Sequence, residues 1–156
     1  MTLRALVFDF GVFAPIKIDY RKVFTVLGKY PDFQPVAMKP TDLFDSLNNL
    51  RTKSPKKAEE VSEKISSIVD EAESDQIGQF QLYPGVKEGL ASTKPMKLSL
   101  IATTELGSKS AGKFLKERDI IGFFSEVVSR DNLPSARDLE TRLKPIMKKS
   151  ELNASE

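Results

Sequence analysis

The run Leu6-Val7-Phe8-Asp9-Phe10-Gly11-Val12-Phe13 constrains this chain more than any other stretch. Ala5 to Phe8 are consecutive apolar residues. They read as a strand over residues 4–10 that is buried on both faces, as in parallel sheets, and not as an alternating strand with one wet face. That strand then runs into a carboxylate. Desolvating a carboxylate at the end of a buried strand is costly unless a cation or a reaction uses it. Asp9 is therefore the first candidate for a functional side chain. The plain alternative is a strand-end or turn residue.

Composition narrows the chemistry. The 156 residues contain no cysteine and no histidine. Disulfides, thiolate ligands, imidazole ligands and histidine bases are all excluded. Catalysis has to run on carboxylates, hydroxyls, amides, lysine or arginine. The 24 basic residues against 22 acidic give a net charge of +2, too small to argue for nucleic acid or an anionic membrane as partner. No apolar run approaches the ~20 residues that cross a bilayer. The first residues, Met1 to Ala5, lack the apolar region of a signal peptide. The expectation is a cytoplasmic protein.

Further along, Gly11 and Pro15 mark a loop, and Tyr20, Val23, Phe24 and Leu27 recur at helical spacing. A short helix is predicted from Thr41, with Leu43, Phe44, Leu47 and Leu50 on one face. Ser54-Pro55 signals a helix start, a hydroxyl cap followed by proline at the first helical position. Ala58, Val61, Ile65, Ile68 and Ala72 then step 3-4-3-4, with Val69 widening the stripe, and Lys57, Glu60, Lys64 and Glu71 take the opposite face. That pattern is an amphipathic helix. Beyond it, Tyr83-Pro84-Gly85 is a turn and Val86 to Ser92 a helix. Leu98 to Ala102 is a second buried strand ending in Thr103-Thr104. Ser108 to Arg118 is a helix, Val127 to Ser129 a third strand and Ser135 to Lys149 a further helix bent by Pro145. Strands alternating with helices predict a parallel α/β sheet. Asp19, Asp42, Asp45 and Asp131 read as turn or cap residues.

These pieces resemble the haloacid dehalogenase-like hydrolases, most of which are phosphatases. Leu6 to Phe13 looks like the family's first motif, with a nucleophilic aspartate at a strand end. Residues 16–80 look like its small helical cap. Leu82 to Leu90, with Tyr83-Pro84-Gly85, is similar to the return from cap to core. Leu98 to Thr104 looks like the second motif, and Gly122 to Ser129 resembles the third strand and its approach. The resemblance implies a Rossmann-like, parallel three-layer α/β core from residues 1–15 and 81–156 with an inserted helical cap at 16–80. It implies hydrolysis of a small phosphate ester with magnesium. Asp9 is nucleophile and metal ligand. Phe10, Gly11, Thr103 and Thr104 meet the phosphoryl group through the Thr103 hydroxyl and free N–H groups of Phe10, Gly11 and Thr104. Arg137 balances charge, with Lys144 a second choice.

Two departures from the family pattern bear on activity. The family's phosphatases carry Asp-x-Asp-Gly, where this chain has Asp9-Phe10-Gly11. The carboxylate that acts as general acid and base is missing, and with it a rate factor of typically ~10²–10⁴. The family also continues into a fourth strand carrying further metal-binding carboxylates. The expectation is impaired turnover and weak magnesium binding. The rival expectations are a non-catalytic binding or interaction domain, or one piece of a longer or split hydrolase. Without a fourth strand Ala5 to Phe8 becomes a sheet edge, which predicts self-association or a partner chain there.

Overall fold

The computed structural model describes residues 3–27, 49–132 and 144. The chain divides into two compact units, Met1–Lys17 with Ile77–Glu156, and Ile18–Gln76.

The first unit is α/β. Its strands are β1 (Ala5–Asp9), β2 (Ser99–Thr103) and β3 (Glu126–Val128), all parallel, in the order β1-β2-β3. Parallel strands need crossovers, and the alternation of element types supplies them. β2 has the middle place, and Leu100, Ile101, Ala102 and Thr103 are all buried. β1 has a neighbour on one side only in the described sheet. Its burial differs from the expectation for both faces: Val7 is 41% exposed, and Ala5, Leu6 and Phe8 are half-buried. A run of apolar residues marks a strand, but its burial depends on what lies beside it.

An aromatic cluster ties β1 to the helical layer. Phe10 packs on Phe114 with ring centroids 5.7 Å apart and on Phe13 at 5.9 Å, and Phe13 reaches Phe124 at 5.4 Å. Such pairs add about 0.5–1.5 kcal/mol each beyond their burial. Phe114 belongs to the helix Ser108–Glu117, whose Ala111, Phe114 and Leu115 form its buried face.

The chain leaves and re-enters this unit side by side, since the Tyr83 N–H donates to the Phe13 carbonyl at 2.8 Å. Arg118 anchors the returning segment by donating to the carbonyls of Gly78 and Phe80. At the turn that follows, Gly85 takes φ +84° while the Val86 N–H donates to the Tyr83 carbonyl. Glycine after proline is the sequence that turn requires. It starts the helix Val86–Ser92, the span its pattern predicts.

The second unit is helical. Numbering helices in chain order, α1 is Arg21–Leu27, α2 Pro55–Ile77, α3 Val86–Ser92 and α4 Ser108–Glu117. The 23 residues of α2 extend about 35 Å. Its predicted stripe is the packed one: Ile65 and Val69 are buried with Val23 and Phe24 of α1, flanked by Val61, Ile68, Ala72 and Tyr20. Two polar links fasten the start of α1 to the end of α2. Tyr20 Oη donates to the buried Glu73 at 2.8 Å, and the Gln76 amide both accepts from the Asp19 N–H and donates to the Asp19 carbonyl. The Asp19 carboxylate accepts from the N–H of Arg21 at 3.0 Å. The helices predicted from Thr41 and from Ser135, with Phe44, Asp42, Asp45 and Arg137, fall on or run into residues outside those described. No described helix is long and apolar enough to cross a membrane.

Candidate active site at the carboxyl end of the sheet

Parallel pairing brings two of the predicted residues together. Asp9 and Thr103 are register partners, the last residues of β1 and β2. Both strands are parallel, so both carboxyl ends open on the same edge of the sheet, where ligands of open α/β sheets bind.

Asp9 is exposed. Its Oδ1 accepts from the Gly11 N–H at 2.8 Å and so caps the short 3-10 turn Phe10–Val12. Oδ2 has no hydrogen-bond partner among the described residues. Gly11 is tightly placed: a Cβ there would lie 3.0 Å from Oδ1. Phe10 turns its ring into the aromatic core and is buried, so only its backbone belongs to this site.

The two threonines are more enclosed than the sequence suggests. Thr103 is 1% exposed, and its hydroxyl leans on the Phe8 carbonyl at 3.4 Å, a long and weak contact. Thr104 is also buried, and its Oγ1 accepts from the Leu106 N–H at 3.2 Å, a local hydroxyl turn. The backbone corrects one expectation. The N–H groups of Gly11 and Thr104 are not free, because Gly11 donates to Asp9 and Thr104 donates to the Val128 carbonyl at 3.0 Å. The cause is local in one case, a two-residue turn, and a sheet contact in the other.

One cluster at this end was not singled out as a site. The loop after β3 closes on the start of α4. Asp131 Oδ2 accepts from the Ser108 N–H at 2.7 Å, and the hydroxyls of Ser108 and Ser129 are 2.6 Å apart. A carboxylate at a helix N-terminus satisfies an orphan donor and the helix dipole. The cap character of Asp131 was readable from its type, but its partner 23 residues away was not. Arg137, proposed as the balancing charge, lies outside the described residues. Lys144 is exposed.

A magnesium ion takes several oxygen ligands. Among the described residues no three acidic, histidine or cysteine side chains converge.

The family profile described as haloacid dehalogenase-like hydrolase matches residues 29–156. The chain belongs to the haloacid dehalogenase-like hydrolases. The match begins after the strand that bears Asp9, so membership rests on the rest of the chain. Solved structures extend the likeness in fold across β1. A protein assigned as a beta-phosphoglucomutase from Thermotoga maritima shares 18% identity over 97% of this chain and 72% of its own, with a TM-score of 0.51. A predicted phosphoglycolate phosphatase from Haemophilus somnus 129PT shares 15% over 97% and 73%, with a TM-score of 0.56. An L-2-haloacid dehalogenase shares 15% over 99% and 76%, with a TM-score of 0.54. No curated protein matches the chain. Among haloacid dehalogenase-like hydrolases, then, this chain keeps the parallel α/β core.

Proposed function

We propose that this haloacid dehalogenase-like chain is of the phosphatase type, acts on a small phosphorylated molecule and is impaired in turnover. The observation that carries the reading is the pairing of Asp9 with Thr103 at the carboxyl end of the sheet. Asp9 attacks phosphorus and forms an aspartyl-phosphate. The Thr103 hydroxyl, held only by a 3.4 Å contact, turns to the phosphoryl oxygens beside the Phe10 backbone. Arg137 balances their charge. The helical insert plays the part of a cap that selects the substrate. Impairment follows from Gly11, which supplies no acid or base at its position. The outer side of β1, with Val7 exposed, is where this reading puts association with a second chain.

One observation favours a non-catalytic binding domain instead: the Gly11 and Thr104 N–H groups already have partners within the protein. Turnover of p-nitrophenyl phosphate with magnesium separates the two. Slow release of phosphate that Asp9→Asn abolishes supports the enzyme. Release at background from both proteins supports the binding domain.

A further inference from the structure

We propose that Arg130 is a positioning residue for the phosphoryl site: its largely buried guanidinium fixes the loop that follows Thr103, and with it the affinity for a phosphate group. The proposal rests on the phosphatase-type reading and adds what holds that site in shape.

The loop after β2 is bound at several points to the segment after β3. The Thr104 N–H donates to the Val128 carbonyl at 3.0 Å, and the Arg130 N–H donates to the Leu106 carbonyl at 3.0 Å. Ser108 meets Asp131 and Ser129 through its N–H and its hydroxyl. Between these points lies Glu105, next to Thr104. Its carbonyl accepts from Nη1 of Arg130 at 3.1 Å. The backbone links survive a change of side chain, and this one does not.

Two features set Arg130 apart from an ordinary surface arginine. Its side chain is only 11% exposed. It also begins the 3-10 turn Arg130–Asn132 just beyond β3, at the carboxyl end of the sheet. Burying a cation costs more than burying a neutral donor, and a neutral donor would hold one carbonyl as well. The guanidinium does more. Its Nη1 holds Glu105 while its Nε lies 3.9 Å from Oδ1 of Asp131, the carboxylate that caps the start of α4. One group therefore touches both the middle of the loop and the cap at its end. A cation placed here also favours an anion at this end of the sheet. The Thr103 hydroxyl has a weak 3.4 Å contact with the Phe8 carbonyl. Its aim, and that of Thr104, thus depends on how firmly the following loop is held.

The test titrates the full chain with inorganic phosphate in magnesium-containing buffer, read by amide NMR and calorimetry. The native chain should bind phosphate, and Thr103→Val should weaken that binding. Arg130→Met should weaken it about 10-fold or more while circular dichroism stays native. Arg130→Lys keeps the charge and a donor and should recover part of the affinity. Where Arg130→Met unfolds, Arg130→Gln takes its place with the same expectation. Binding that Thr103→Val weakens and the neutral Arg130 variant leaves unchanged overturns the proposal and leaves the phosphatase-type reading standing. A lysine variant no tighter than the neutral one overturns it too. If the native chain binds no phosphate, or Thr103→Val binds it as the native chain does, the reading falls and the proposal with it.

Discussion

Gly11 donates its backbone N–H to Oδ1 of Asp9 at 2.8 Å, so the carboxylate that ends β1 also caps the turn that follows it. One side chain thus has a structural task and, in the proposed function, a chemical one. The two separate by substitution. Asp9→Ala loses the hydrogen bond and should cost about 1 kcal/mol in denaturant unfolding. Asp9→Asn keeps an oxygen acceptor and should stay within about 0.5 kcal/mol of the native chain, while losing the nucleophile. Equal destabilisation by both would show that the cap is not what Asp9 contributes to stability.

Phe114 holds β1 against the helical layer. It is fully buried and its ring lies 5.7 Å from that of Phe10. Phe114→Ala should destabilise the α/β unit by about 3–5 kcal/mol through lost burial and a residual cavity. A double-mutant cycle with Phe10→Leu should return a coupling of about 0.5–1.5 kcal/mol. Zero coupling would mean that the ring contact is incidental.

Asp19 and Arg21 make the start of α1 sensitive to acid. The Arg21 side chain, and after it the Arg21 N–H, hold the Asp19 carboxyl down at about 2 against an ordinary 3.8. A lowered folded-state value contributes stability that is present above 3.8 and fades as the pH falls toward 2. The pair is exposed, so the effect on stability is small and the titration is the sharper readout. Carboxyl-carbon NMR should place the Asp19 midpoint near 2. In Arg21→Ala it should move up toward 3.8, with the backbone bond retaining part of the shift. An unmoved midpoint would remove Arg21 as the cause.

Association at β1 is measurable by light scattering. Val7, exposed on a strand at the edge of the described sheet, is the residue to change. A charge on an edge strand blocks pairing with another chain. The native chain should gain apparent mass as concentration rises, and Val7→Lys should reduce that gain. Identical monomeric behaviour in both would rule out pairing through this strand.

Much of the architecture was legible because local pattern and tertiary environment agree. The 3-4-3-4 stripe of α2 is the face that meets Val23 and Phe24. Ser108 to Glu117 buries the residues its spacing points inward, and Tyr83-Pro84-Gly85 makes its turn by glycine chemistry. β1 shows where that agreement ends. Its apolar run announced a strand, yet Val7 is exposed, because the burial of a strand side chain depends on what packs on its face of the sheet, which no local pattern encodes.

The order of residues alone determined that Asp9 would end a strand, that Thr103 would end another, and that no histidine or cysteine would take part. Those statements concern residue identity and short-range periodicity. Tertiary structure decided that the two strand ends are register partners, that Phe10 points into an aromatic core, and that the N–H groups of Gly11 and Thr104 are bound within the protein. The physical reason is that a hydrogen bond or a packed ring is set by which backbone arrives beside it. For Thr103 and Asp9 that neighbour lies more than ninety residues away along the chain, beyond the reach of any periodicity.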